Sequence, residues 1–146
     1  MSEIKENKSI KKGKKKRMII AAISIVVIIG IVFGTRYFLQ LREYKKRIAD
    51  ISITDADLSK IPNGSYKGSY DAIMVAATVN VDVKDHKITN ITLINHKNDK
   101  GNKAEKIVMD IQNAQSLKVD TVSGATNSSK VILKAVQNAL DLSQKN

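Results

Sequence analysis

The chain has 146 residues and a formal net charge of +11, and that charge is unevenly placed. Residues 1–47 hold 13 of the 25 Lys and Arg and 3 of the 14 Asp and Glu, which leaves a formal +1 for residues 48–146. The basic excess therefore belongs to an N-terminal appendage and gives the rest no nucleic-acid face; the absence of cysteine excludes disulfides, thiol catalysis, iron–sulfur clusters and thiolate zinc sites.

Residues 1–17 are polar and basic, ending in Lys11-Lys12-Gly13-Lys14-Lys15-Lys16-Arg17. Met18 to Gly34 is an uncharged run rich in Ile and Val, extended by Tyr37, Phe38 and Leu39 around Arg36. About 20 helical residues cross the hydrocarbon core of a bilayer, so residues 18–39 are predicted to form a transmembrane anchor. Arg36 can snorkel to the interface, where Tyr37 is also at home. A cleavable signal peptide would share the basic start. The apolar stretch is long for one, however, and no small-x-small pattern follows it. Eight Lys and Arg precede the run and five lie between Arg36 and Arg47. That bias predicts a single pass through the cell membrane, with a basic cytoplasmic tail at 1–17 and an extracytoplasmic C-terminal domain. Residues 40–60 read as stalk and linker, with Leu41 to Asp50 continuing the helix. The domain, residues 61–146, opens at the turn signal Pro62-Asn63-Gly64.

From Ser65 the hydrophobic period is two. Ser65 to Tyr70 reads as a first strand, and Val75, Ala77, Val79, Val81 and Val83 alternate with polar or small residues as a half-buried second strand. Asp85-His86 reads as a tight hairpin and Lys87 to Ile94 as the return strand. The alternation slips between Ile88 and Ile91, which predicts a bulge or burial on both faces. After a polar loop from His96 to Asn102, Ala104, Ile107, Val108, Ile111 and Ala114 fall on one helical face, with Asn102 and Glu105 spaced as a capping box. Val131, Ile132, Ala135, Val136, Ala139 and Leu140 define a second amphipathic helix. The predicted fold is α+β: a small antiparallel sheet packed on one face by two helices and preceded by one transmembrane helix.

The chemistry concentrates at Asp120-Thr121-Val122-Ser123-Gly124-Ala125-Thr126. A chain that turns at Gly124 and enters a helix near Thr126 or Ser128 presents hydroxyls and free backbone N–H groups together, which suits an anion such as phosphate. On local pattern alone, an ordinary N-cap explains the same residues. A nucleophilic Ser123 would need a base, and neither histidine lies nearby in sequence. Glu105 and Asp120 carry no signature of a general acid/base pair.

Residues Ile61 to Leu142 resemble the FMN-binding domain family, which includes the extracytoplasmic flavin subunits of sodium-pumping NADH:quinone reductases and of related ferredoxin-linked complexes. Asn63-Gly64-Ser65-Tyr66-Lys67-Gly68 is similar to the family's opening "dGtYtG". Val79 to Ile91 is similar to its "vtVtVkdGkItdv" hairpin. Ala114 to Thr126 is similar to "aqsldvDavSGAT", the most specific of the three. The resemblance implies that the Thr126 hydroxyl accepts FMN as a phosphoester, with Asp120, Ser123, Gly124 and Ala125 completing the motif. A separate flavin transferase using FAD and a divalent metal would attach it, so no local base is required. Ser128 stands where many members have a second threonine and keeps the hydroxyl. The segment between His96 and Ala104 is short and polar where members often carry Gly and Pro. His96 matches a polar family position and either faces the flavin or belongs to a surface loop. The implied function is electron transfer by a membrane-anchored flavoprotein between a donor, such as a quinol or reductase complex, and an extracytoplasmic acceptor. A non-redox binding module of the same fold and an accessory respiratory subunit are the other readings.

Overall fold

The computed structural model describes residues 2–98 and 101–143; Asp99 and Lys100 of the expected polar loop lie outside the described residues. By internal contacts residues 1–40 form one unit and residues 41–146 a second.

Helix α1 runs Ser2–Ala49 and is continuous through the charged residues after Leu39. Among the described residues it is the one helix long and apolar enough to cross a membrane, with a mean hydropathy of 2.8 over its most apolar window. Its apolar side chains from Met18 to Leu39 are exposed, Phe33 by 71%. In water such a surface is strongly unfavourable, whereas lipid tails would cover it on all sides.

The second unit is built on a three-stranded antiparallel sheet in the order β1-β2-β3. Its strands are β1 (Gly64–Asp71), β2 (Ala76–Lys84) and β3 (Lys87–Lys97). Alternation along β2 buries Ala77, Val79, Val81 and Val83 and leaves Thr78, Asn80 and Asp82 on the other face. The β2–β3 connection is the two-residue turn Asp85-His86, with φ of 51° and 59°. Positive φ at both positions is the turn whose twist matches the flanking strands. The predicted slip in β3 is a bulge: Asn90 pairs with Asp82 and Ile88 with Val83, leaving Thr89 as the extra residue. A second bulge leaves Ile94 unpaired between Leu93 and Asn95.

Helix α2 (Ile107–Ala114) and helix α3 (Thr126–Ser143) cover the apolar face, as the two amphipathic patterns predict. Ile107 and Ile111 from α2 join Val131, Ile132, Ala135, Val136, Ala139 and Leu140 from α3 in the core. The close approach of α3 to β1 depends on Gly68. A Cβ at that position would collide with the carbonyl oxygen of Ala135 and the backbone nitrogen of Ala139.

The segment expected as stalk and linker supplies side chains to this core. Ile48 is buried, and Tyr44, Ile51, Ile53, Ala56 and Leu58 pack against the core. Arg47 donates to the Asp71 carbonyl at 3.1 Å, and the Tyr70 hydroxyl donates to the Arg47 carbonyl at 3.3 Å.

One local expectation fails. The Asn102–Glu105 capping box does not form: residues Asn102–Lys106 are a 3-10 helix entered from Gly101, and neither it nor α2 has a side-chain cap. The Glu105 carboxylate is engaged by His96 instead.

Candidate functional site

The chain reaches the site from α2 through a series of polar ties. Gln115, in the left-handed conformation after α2, accepts from the Ile88 amide and donates to the Ile88 carbonyl, both at 2.8 Å. Its side chain thus stands in for a strand partner at the edge of β3. The Asp55 carboxylate then accepts from Leu117 N at 2.9 Å, Ser116 Oγ at 2.7 Å and Ala56 N at 3.1 Å. Partial burial raises its pKa, but those hydrogen bonds and the Lys118 charge outweigh burial and hold it below the usual carboxylate value. Two distant segments are thereby fixed just ahead of the loop that enters α3.

That loop is a tight turn. Ala125 N donates to the Val122 carbonyl at 2.9 Å across Ser123 and Gly124, and Gly124 has φ +76°. Positive φ at the third residue is the requirement of a type II turn, which glycine meets without strain. Val122 and Ala125 are buried and hold the turn to the core, while Ser123 and Gly124 face solvent. Ser129, fully buried, locks turn to helix: its hydroxyl accepts from Val122 N and donates to the Ala125 carbonyl, each at 3.0 Å. Nothing in the sequence sets Ser129 apart. Its spacing of seven from Val122 is no recognised signal.

Helix α3 begins at Thr126, so the residue before it is Ala125, which has no hydroxyl. The ordinary N-cap reading of the motif is therefore not realised. Among the described residues no side chain hydrogen-bonds to the amides of Thr126, Asn127 or Ser128. Those first-turn N–H groups have no intrahelical partner and carry the positive end of the helix dipole. Thr126 is exposed.

These residues line an open cleft of about 360 Å³ together with Tyr44, Val75 and Gly101. Among the described residues no lining side chain is charged, so within them an anion would be held by the helix terminus and neighbouring hydroxyls. Gly101 shapes the cleft by necessity, because a Cβ on it would collide with the Ser128 hydroxyl. Asn127 donates to the Tyr44 hydroxyl at 2.8 Å.

Of the seven residues singled out in the sequence, Gly124, Ala125, Thr126 and Ser128 line this cleft, and Ser123 lies in its turn. Asp120 is exposed and precedes the turn. His96 lies on β3 rather than in a surface loop, and its imidazole is only 2% exposed. Nδ1 is 3.1 Å from Glu105 Oε1. That carboxylate favours the tautomer with the proton on Nδ1, which leaves Nε2 an acceptor, buried and without a partner among the described residues. Asn98 donates to the His96 carbonyl at 3.2 Å and accepts from Gly101 N at 2.9 Å, linking this strand end to the cleft wall.

The sheet, the two helices and the anion-receptive turn define a small α+β ligand-binding domain. The family model of the FMN-binding domain matches residues 68–141, and the chain belongs to that family. Its cofactor is accordingly FMN. Among curated proteins none matches the chain. The residues present fit the phosphate end of this cofactor: amides free among the described residues, an exposed hydroxyl and a glycine wall where a Cβ would meet Ser128.

Proposed function

We propose that this chain is a membrane-anchored extracytoplasmic flavoprotein that carries FMN as a phosphoester on Thr126 and passes electrons between a membrane donor and an extracytoplasmic acceptor. The observation that carries the reading is the exposed Thr126 at the start of α3, in a cleft that has no charged side chain and no side-chain cap among the described residues. A phosphate monoester bears a charge of about −1.5 to −2 near neutral pH, whereas a diester to threonine bears one negative charge. A helix terminus without Lys or Arg suits the single charge better.

Attachment would proceed on a flavin transferase. The Thr126 oxygen forms a bond to the flavin-side phosphorus of FAD, the anhydride P–O bond breaks, AMP leaves, and the hydroxyl proton passes to the transferase. This chain need only present the oxygen. Ser123, Gly124 and Ala125 shape the turn that does so, and exposed Asp120 is available to guide the transferase. Ser128 sets the cleft floor against Gly101, and His96 is tied to that wall through Asn98. Once bound, the isoalloxazine supplies the redox chemistry, and the protein supplies position and shielding.

The test is co-expression of the full chain with a flavin transferase, followed by a denaturing gel under ultraviolet light. Fluorescence at the protein band, lost in Thr126→Ala and kept in Thr126→Ser, is the expected result. A band of unmodified mass beside an active transferase would sink the covalent claim. Reduction of the loaded protein in membranes by a quinol or reductase, with reoxidation by an added acceptor, tests the electron-transfer claim.

A further inference from the structure

We propose that Tyr44, in the last turns of α1, is an FMN-binding residue whose ring contacts the bound flavin and whose hydroxyl fixes the Thr126 turn. This rests on the cleft at Thr126 being the flavin site. It adds a residue outside the segment, 68–141, that the family model covers.

Two independent observations converge on Tyr44. Its side chain lines the cleft with Gly124, Ala125 and Thr126. Its hydroxyl accepts a 2.8 Å hydrogen bond from Asn127, the residue next to Thr126. The ring therefore belongs to the wall, and its polar tip is tied to the first turn of α3.

Composition makes Tyr44 hard to replace. A flavin ring is broad and flat, and aromatic faces suit such ligands because they offer area at low conformational cost. The second unit contains three tyrosines and no Phe or Trp. Tyr66 donates to the Pro62 carbonyl and Tyr70 to the Arg47 carbonyl. Only Tyr44 among them lines the cleft, where Val75 is the one aliphatic side chain larger than alanine among the described residues. The position of Tyr44 is secured from below, since Ile48 one turn later is buried in the core.

The proposal also ties the cofactor to the anchor in sequence. Four residues, and so five backbone steps, separate Leu39, the last of the apolar run, from Tyr44. Even fully extended they span at most about 18 Å. Whatever the relative placement of the two units, the contact residue stays near the end of the apolar segment.

The test uses the full chain in detergent, loaded by transferase and FAD, with flavin fluorescence read at equal flavin-to-protein ratio. A phenol in contact with a flavin quenches its emission, so Tyr44→Leu should raise the yield several-fold and shift the absorption bands, while Tyr66→Leu leaves both unchanged. Unaltered emission and absorption in Tyr44→Leu at equal loading would overturn the proposal. If Tyr44→Leu does not fold, nitration of the wild-type chain decides. Tyr44 should be modified in unloaded protein and protected in loaded protein, with Tyr66 and Tyr70 as internal references, and equal nitration in both states rules the contact out. If the transferase leaves the chain unmodified, titration with free FMN separates the two claims. At least tenfold weaker binding in Tyr44→Leu upholds Tyr44 although the covalent reading has failed. Equal affinity, or no binding by the wild type, overturns it.

Discussion

The Ser129 hydroxyl accepts the Val122 amide proton at 3.0 Å from seven residues further along the chain. With its own proton given to the Ala125 carbonyl, this one side chain closes the turn on which Ser123 and Gly124 are displayed. The turn is therefore held from inside the core, which leaves its outer residues facing solvent.

Ser129→Ala should cost about 1–3 kcal/mol, because the buried Val122 amide would lose its only partner among the described residues. Urea unfolding of the full chain in detergent measures this. Transferase-dependent flavin incorporation should also slow at temperatures where the variant is still folded. A variant with unchanged stability and unchanged incorporation would show that the turn is held by other means.

Gly68 and Gly124 should respond to alanine for different reasons. At Gly68 the new methyl meets α3 backbone, so β1 and α3 must separate, at a cost of about 3 kcal/mol. At Gly124 nothing lies within 4 Å of the new atom, but φ is +76°, and an L residue there costs about 1–2 kcal/mol. Thermal unfolding should rank Gly68→Ala below Gly124→Ala, while flavin incorporation should suffer more in Gly124→Ala for its smaller loss of stability.

Much of this architecture is legible in the sequence because it follows from period. The alternation from Ala77 to Val83 specifies β2, the stripe from Val131 to Leu140 specifies α3, and the slip between Ile88 and Ile91 marks the bulge at Thr89. The Asp120–Thr126 stretch is legible as a turn into a helix because Gly124 and the small hydroxyl residues are chemically distinctive. Contacts made by long-range polar pairing are not legible. Nothing near Asp55 announces Leu117, nothing near Tyr44 announces Asn127, and Ser129 looks like any helix serine. The capping box fails for a related reason: tertiary contact offers Glu105 the His96 imidazole, and local spacing cannot see that competitor. Ile73, with φ 74°, is hidden too, since a β-branched residue is the type least expected there.

Acid should weaken the domain partly through Asp55. Its folded-state pKa lies below the unfolded value because hydrogen bonds from Leu117, Ser116 and Ala56 favour the carboxylate over the burial that opposes it. A depressed carboxylate contributes stability that is present above the unfolded pKa, about 3.9, and lost as pH falls through the folded one. Asp55→Asn should therefore cost about 1–2 kcal/mol at pH 7 and less near pH 3. Denaturation at both values checks this, and a loss that is the same at pH 7 and pH 3 would assign the effect to packing rather than charge.

The end of α1 should be inseparable from the domain in stability although it continues a segment suited to lipid. Ile48 is 7% exposed and belongs to the core cluster, whereas Ile31 is 62% exposed. Truncating a buried isoleucine to alanine removes apolar burial and leaves a cavity, at about 2–4 kcal/mol. Ile48→Ala in the full chain should lower the unfolding free energy of the domain by that amount, and its urea midpoint with it, read from circular dichroism in detergent. Ile31→Ala, whose side chain is largely exposed, should leave the midpoint unchanged. Flavin incorporation should follow the same split, because loss of Ile48 packing loosens Tyr44 one turn away and with it the hydrogen bond to Asn127. Equal midpoints for the two variants would mean that Leu41–Ala49 is a tether rather than part of the fold.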